Sequence, residues 1–556
     1  MAKKKTRGKR TPPTNNPQTP AAVPMQKHLQ EAINLHKAGS LVEAAEKYAE
    51  ILKNNPKDPS SLNGLGTVSL QRDQLDDAER LLAMAISQNP RLHSAYNNLA
   101  TVLRRRGKLD DAASQYLKAV ELKPDYHDAR LNLAQTYLHG ENYVDALMQA
   151  QEVVKQESRW EAYNILGVVL SRLGRRDAAE EAFVEALKLN PDSRDIYNNF
   201  AELLAERGKF QAAKQAYDAA ARIAPDDDVT PWNRSLVEFK MGDLDAAYPD
   251  YEKGRIVGKR KVIDLGGEEW DGRSSLDGHL LAVQVEQGLG DELVFATCYP
   301  DVAEQADGLM ITCDNRLAPA FQRLLPTAWI VPITRDERIY RTFTLDPAYP
   351  RPDRQIPAGS LPRIFRPTLA DFDKTRPILI PDPELEDKWR ERVSALPPGL
   401  RVGVSWRSGK LNVQRSWSYF QFHELAPLLE TPGVTFVNLQ YDATHEELDG
   451  IREETGKELH YWEDLDQYQD LENLIAMINQ LDLVISINNA SSRIASALGK
   501  GSWLIGKGGG PFALGQSRVP FFTSTVVWNS SNTPDRDAQI REVAAGLERK
   551  VNQGRG

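Results

Sequence analysis

Gly288-Leu289-Gly290-Asp291 sets a carboxylate where a short apolar run, Leu280–Val285, gives way to a helical pattern. Two glycines let the main chain approach a bound group, and a helix N-terminus favours an anion in front of it. Leu293 stands where a dinucleotide fingerprint would carry its third glycine, so the segment is not that motif. Asp291 therefore reads either as a chemical group beside a ligand or as a helix cap. Glu286, at the end of the same run, is a second and weaker carboxylate candidate. Arg407, Lys410 and Arg415 follow another apolar run that ends at Trp406. Cations at the C-terminal end of a parallel strand point to the crevice where α/β sheets take ligands, and could neutralise phosphates there. Ser486-Ile487-Asn488-Asn489-Ala490-Ser491-Ser492-Arg493 gathers hydroxyls, amides and backbone N–H groups at a helix start, a combination that can cradle a phosphate. Gly506-Lys507-Gly508-Gly509-Gly510-Pro511 lacks the G-K-[ST] of a Walker loop and reads as a rim.

Several chemistries are excluded or disfavoured. There is no C-x-x-C or H-E-x-x-H, so no zinc site is expected. Asp-x-Asp triplets at Asp226–Asp228, Asp371–Asp373 and Asp464–Asp466 arise readily among 78 acidic residues, and no metal is inferred from them. Only two cysteines are present, Cys298 and Cys313, which argues against a disulfide framework and for a reducing, cytoplasmic setting. A net charge of −9 makes nucleic acid an unexpected partner. The tail Met1–Arg10 is basic but no apolar run follows it, so it is not read as a secretory signal, and Thr11–Pro24 reads as disordered. No stretch approaches the roughly 18 apolar residues of a membrane span.

The elements that must position these residues follow a βα rhythm. Leu280–Val285, Gly308–Thr312 and Trp329–Pro332 read as strands of a first α/β unit. Arg401–Trp406, Val434–Leu439, Leu483–Ile487 and Ser502–Ile505 read as strands of a second. Glu384–Leu396, Phe420–Leu429, Gln467–Gln480 and Ser491–Leu498 read as helices between them, so parallel sheets with covered faces are expected, with a cleft between the two units. Between the units lies Ile333–Thr375, rich in proline and arginine (Arg335, Arg338, Arg341, Arg351, Arg354, Arg363, Arg366). It reads as a long loop that either meets an anionic ligand or is a solvated excursion.

Before Lys259 the chain repeats with a 34-residue period. Tyr96-x2-Leu99-Ala100-x2-Leu103, Ala112-x3-Tyr116 and Pro124 return as Tyr197-x2-Phe200-Ala201-x2-Leu204, Ala213-x3-Tyr217 and Pro225. Glycines at 107, 174, 208 and 242 mark the turn inside a repeat, and an aromatic (Tyr48, Tyr116, Phe183, Tyr217, Tyr251) fills the gap between repeats. Seven repeats can be counted. The pattern resembles the tetratricopeptide family, whose arrays curve into a superhelix with a concave face. Asparagine recurs in the first helix: Asn63, Asn97–Asn98, Asn132, Asn164, Asn198–Asn199, Asn233. A carboxamide both donates and accepts, so it can hold an extended main chain without reading side chains. Inter-repeat hydrogen bonding or a solvated helix face would use the same residues. Asparagine is a mediocre helix former, so its recurrence needs one of these reasons.

The "YNNLA" at Tyr96–Ala100 and "YNNFA" at Tyr197–Ala201 resemble the repeats of protein O-GlcNAc transferases, in which inner-face asparagines hold the substrate main chain. That resemblance implies a ladder of Asn98, Asn132, Asn199 and Asn233, interrupted at Gly64 and Ile165. In the second half, Trp270-Asp271-Gly272, Glu286–Glu292, Ser360-Leu361-Pro362, Val402–Trp406 with Arg415-Ser416, Leu481–Ser486 and Ala495–Gly499 occur in order. Together they resemble the catalytic half of bacterial tetratricopeptide-repeat glycosyltransferases, related to the lipopolysaccharide heptosyltransferases. The resemblance implies an all-α repeat superhelix followed by an α/β GT-B fold of two Rossmann-like units. It divides the chain into a basic tail (1–24), repeats (25–259), a first unit (260–375) and a donor-binding second unit (376–556). It implies Asp291 as general base. It places a nucleotide-sugar donor against Gly288, Gly290, Trp406, Arg407, Lys410, Arg415, Ser486, Asn488, Asn489, Ser491 and Arg493, with no metal or further cofactor.

Relatives usually show Asp-Thr where this chain has Asn488-Asn489, and His where it has Arg493, which makes the site more positive. An arginine meets a carboxylate bidentately, so the change suits a donor sugar that itself carries one, such as a nonulosonate on CMP. A degenerate site would also explain it. The architecture resembles the flagellin glycosyltransferases of alphaproteobacteria, which implies a protein acceptor, flagellin, modified on Ser or Thr. The alternative is a repeat scaffold carrying an inactive second half.

Overall fold

The computed structural model describes residues 22–286, 288–334, 343–408, 419–506, 510–528 and 536–553. Lys410, Arg415, Arg335, Arg338, Arg341 and Lys507–Gly509 lie outside the described residues. Packing divides the chain into two compact units, Met1–Asp192 and Ser193–Gly556. The repeat period runs to Lys259, so the division falls inside the repeats, and the last two are built into the second unit.

Helices run in pairs from Ala22–Lys37 with Leu41–Asn54 to Val229–Met241 with Leu244–Ile256, matching the seven expected repeats. Each pair turns through one residue in the left-handed region: Gly39, Asp73, Gly107, Glu141, Gly174, Gly208 and Gly242, with φ between 58° and 81°. Glycine is the residue for which that conformation carries no Cβ penalty. Asp73 and Glu141 are the two exceptions and carry that penalty. Glu141→Gly is therefore expected to raise the stability of the first unit by about 1 kcal/mol, read as a shift of the urea midpoint at unchanged slope. The aromatics after each turn are buried as expected, Tyr116 fully and Tyr48 to 2% exposure. They explain the gap at Gly64: a Cβ there would run into the Tyr48 ring.

The second unit carries two fully parallel sheets. The first contains β1 (Glu268–Glu269), β2 (Leu280–Gln284), β3 (Gly308–Asp314), β4 (Trp329–Ile333) and β5 (Arg354–Pro357), in the order β1-β5-β2-β3-β4. The second contains β6 (Leu400–Ser405), β7 (Val434–Asn438), β8 (Leu459–His460), β9 (Leu483–Ser486), β10 (Ser502–Leu504) and β11 (Thr525–Val527), in the order β11-β10-β9-β6-β7-β8. Renumbered within its own sheet, that is the 3-2-1-4-5-6 order of a doubly wound fold, whose strand order reverses between β6 and β9. The first sheet reverses between β2 and β5.

One sequence expectation fails here. Ile333–Thr375 is not one long loop: it contributes β5, between β1 and β2 of the first sheet, then the helix Leu361–Phe365. Two of its arginines are engaged with carboxylates rather than presented to a ligand. Arg366, 1% exposed, bonds Asp301, and Arg354 pairs with Glu268. Arg354-Gln355-Ile356-Pro357 carries neither alternation nor a continuous apolar run to mark it as a strand.

The last repeat joins the core beneath the first sheet. Phe239, Tyr248 and Tyr251 share one apolar cluster with Leu281, Phe295 and Phe512. Tyr248 Oη donates to Arg366 O at 2.8 Å. Just beyond the last repeat, Arg260 reaches the end of β2 and forms a two-pronged ion pair with Glu286 (2.9 and 2.8 Å), both side chains fully buried. Glu286 also accepts from Gly359 N, and Arg260 donates to Ser360 Oγ at 3.0 Å, so both charged side chains are tied to the segment that follows β5. Glu286 is thus a structural partner of Arg260 rather than a base.

Candidate functional site

Each sheet sends a helix from its reversal point: Leu289–Ala296 follows β2, and Ala490–Ala497 follows β9. The two helices pack against each other. This brings together two residues that lie far apart in sequence, Asp291 on the first helix and Arg493 on the second. Arg493 is 4% exposed; burial pulls its guanidinium down to about 10, and the nearby Asp291 carboxylate offsets part of that fall. Its guanidinium also lies over the Phe522 ring at 5.7 Å. The N-cap of the first helix is Gly288, so Asp291, at the third helical position, is not the cap residue. It is half-buried, while Gly288 is exposed.

The fold does not demand the two glycines. Gly288 has φ −90°, open to any residue, and a Cβ on it would meet nothing within 4 Å among the described residues. A Cβ on Gly290 would make one ordinary contact, 3.5 Å to Arg493 Cγ. Among the described residues, nothing approaches the Cβ position of Gly288, in front of a helix N-terminus whose first turn carries Asp291 and packs beside Arg493. A hydroxyl placed there could pass its proton to Asp291, and an anion could sit against the backbone N–H groups.

The other expected donor residues serve the fold to differing degrees. Asn489 caps the Ala490–Ala497 helix, accepting from Ser492 N at 3.1 Å, and its Nδ2 crosses the reversal point to donate to Ser405 Oγ at 2.7 Å. Ser486 Oγ donates to Asn489 Oδ1 at 3.1 Å, and Ser491 Oγ donates to Leu439 O at 3.2 Å. Trp406, 1% exposed, packs in the apolar layer with Phe420, Leu425 and Phe436 and does not line the reversal point. Arg407 is held by the carboxylates of Glu447 (2.5 and 2.8 Å) and Asp442 (3.2 Å) and by Asp442 O (2.9 Å); burial acts to lower its pKa, and the two carboxylates outweigh it and raise it. It is not an uncommitted cation awaiting phosphate. Asn488 and Ala490 of this turn are exposed, and Asn488 Nδ2 faces Gly510.

Sequence reading missed Gln440. Buried at the end of the β7 segment, it accepts from Ser405 Oγ, Trp406 N and Arg407 N at 2.9–3.0 Å and so fixes the chain as it leaves β6. No local pattern marks a lone glutamine for that task.

The asparagine ladder is partly self-paired. Asn98 Nδ2 donates to Asn63 Oδ1 (3.1 Å) and Thr67 Oγ1 (2.8 Å), and Asn132 Nδ2 donates to Asn97 Oδ1 (3.1 Å). Inter-repeat bonding, one of the readings open from sequence, is thus realised in the first unit. Asn98 and Asn132 stay half-buried, with carboxamide capacity beyond these bonds. In the second unit, Asn198 exchanges bonds with Thr230 Oγ1, Asn199 makes interactions of its own, and Asn233 is half-buried. Asn98→Ala should therefore lower the stability of the first unit by about 1–2 kcal/mol, seen in urea unfolding. Loss of acceptor binding in that variant counts only beyond what unfolding explains.

Among the described residues, no cluster of three or more His, Cys, Asp or Glu is placed to hold a metal ion, and no helix is long and apolar enough to cross a membrane. The tetratricopeptide-repeat family matches residues 35–103, 97–163 and 164–228. The chain is 30% identical over 373 residues to Protein FlbA of Caulobacter vibrioides, an alignment that takes in 65% of this chain and 62% of that protein. Among solved structures, a tetratricopeptide repeat protein of Parabacteroides merdae aligns at 18% identity and TM-score 0.37, covering 42% of this chain and 93% of its own. PilF of Pseudomonas aeruginosa aligns at 21% identity and TM-score 0.33, covering 36% and 92%. At these scores neither structure adds to the account of the site. Repeat period, left-handed turns and family match together make the helical part of this chain a tetratricopeptide-repeat, protein-interaction domain.

Proposed function

We propose that this chain is a protein O-glycosyltransferase: its repeats hold a polypeptide acceptor, and its two-sheet half moves a sugar from a nucleotide-sugar donor to a Ser or Thr hydroxyl. The observation that carries the reading is the packing of the helix bearing Asp291 against the helix bearing Arg493, which sets Arg493 Cγ 3.5 Å from the Cβ position of Gly290 and leaves no described residue within 4 Å of that of Gly288. Asp291 takes the hydroxyl proton; the helix N-terminus and Arg493 face the anionic donor. A donor sugar bearing a carboxylate, such as a pseudaminic-type nonulosonate on CMP, suits a guanidinium in that place. Flagellin is the acceptor we infer from the resemblance to flagellin glycosyltransferases, and the cytoplasm is the inferred site of action.

A second reading, a repeat scaffold with an inactive second half, is favoured by one observation: Arg407, Ser486, Asn489 and Ser491 are all engaged within the fold. Titration calorimetry with CMP, UDP and ADP separates the two. The transferase reading expects one nucleotide to bind, and Gly290→Ala to weaken it at least about tenfold with unchanged thermal unfolding. Absence of binding for all three nucleotides would sink the transferase reading in favour of the scaffold.

A further inference from the structure

Phe512 stands where three parts of the second unit meet. Its ring lies 5.9 Å from Phe239 and 6.3 Å from Tyr251, both in the last repeat. It lies 5.5 Å from Phe295, on the helix that carries Asp291, and 5.8 Å from Phe521, next in sequence to the Phe522 ring under Arg493. The segment around Phe512 is locked to the last repeat. Leu514, fully buried, is held at φ +51°, a conformation that costs a non-glycine residue about 1–2 kcal/mol. Gly515, at φ +70°, lies so close that a Cβ on it would fall 2.7 Å from Lys240 O. A Cβ on Gly242, at the end of the Val229–Met241 helix, would fall 3.1 Å from Leu514 O. At the other end of the segment, Gly510 faces Asn488 of the β9 turn.

We infer that Phe512 is a positioning residue: it couples the last repeat to the helix bearing Asp291 and to the support of Arg493. Packed aromatic contacts transmit displacement because an interior at crystal-like density does not absorb it locally. A shift of the last repeat, by a partner in the groove, then moves both sides of the pair. The functional sense rests on the proposed role of Asp291; the coupling itself does not.

The test is hydrogen exchange on the full chain, read at residues 289–296, in a double-mutant cycle of Phe239→Leu and Phe512→Leu. Phe239→Leu should raise exchange at 289–296 by about tenfold when residue 512 is Phe, and by much less once it is Leu. Phe436→Leu, in the apolar layer on Trp406, should leave 289–296 unchanged. Equal effects of Phe239→Leu in both backgrounds, or none in either, would overturn the coupling. If Phe512→Leu does not fold, Gly515→Ala loosens the same link from the repeat side and should raise exchange at 289–296; protection unchanged in both Gly515→Ala and Phe239→Leu would overturn it. Because no transfer is measured, failure here leaves the transferase reading standing, and failure of transfer leaves the coupling standing.

Discussion

Glu286→Ala is expected to destabilise the second unit by about 3–5 kcal/mol. The substitution leaves Arg260, fully buried, without its two-pronged partner, and Arg260 cannot lose its proton to relieve the charge. Neighbours do not replace Glu286: Ser360 Oγ and Tyr251 O are neutral acceptors, and Glu252 at 3.2 Å is partly exposed. The Tyr251 ring, 4.4 Å from the guanidinium, adds only modest cation–π attraction. Chemical denaturation measures the loss. A double variant, Arg260→Met with Glu286→Leu, should recover much of it, because matched apolar groups remove both desolvated charges. A single-variant loss below about 1 kcal/mol would mean that the pair is not buried as described. The same variant separates structure from chemistry, since a base in that place would lose transfer while keeping stability.

Asp291→Asn is expected to lower sugar transfer about 10²–10⁴-fold. Asparagine keeps the shape of the side chain and removes the proton acceptor. Initial rates with acceptor and donor both saturating isolate that step from binding. A variant that keeps more than about a tenth of the rate would remove Asp291 from the base role. On the proposed function, Gly290→Ala gives the complementary pattern, weaker donor binding in a normally folded chain, because its Cβ makes one ordinary contact, with Arg493 Cγ, and meets no core residue.

The repeats were legible because period, most turns and the interface residue each obey one local rule. Gly107 must turn left-handed, Ala112 must let helices approach, and Tyr116 must fill the gap. Even Gly64, read as a break in the asparagine ladder, has its cause in the Tyr48 ring. The central strands were legible as apolar runs. β5 was not, because Arg354-Gln355-Ile356-Pro357 carries neither alternation nor a continuous apolar run.

The site was only half legible. Sequence put Asp291 and Arg493 at one donor site only through a family resemblance; in the fold their approach depends on how the helices that follow β2 and β9 pack. Sequence also treated Arg407 as a cation for phosphate because its partners, Asp442 and Glu447, come from a different βα unit. Asn489 and Ser491 carry the residue types of a phosphate turn, yet hold a helix start and a neighbouring strand. Residue type names a capability; only packing decides which partner takes it.

The central claim, that a sugar passes from a nucleotide to a protein held by the repeats, is tested most directly by intact mass of flagellin. The full chain is incubated with flagellin and a panel of nucleotide sugars that includes a CMP-linked nonulosonate. The account predicts a mass increase of whole sugar residues with one donor, lost in Asp291→Asn. No increase with any donor, while flagellin still binds the chain, would contradict it.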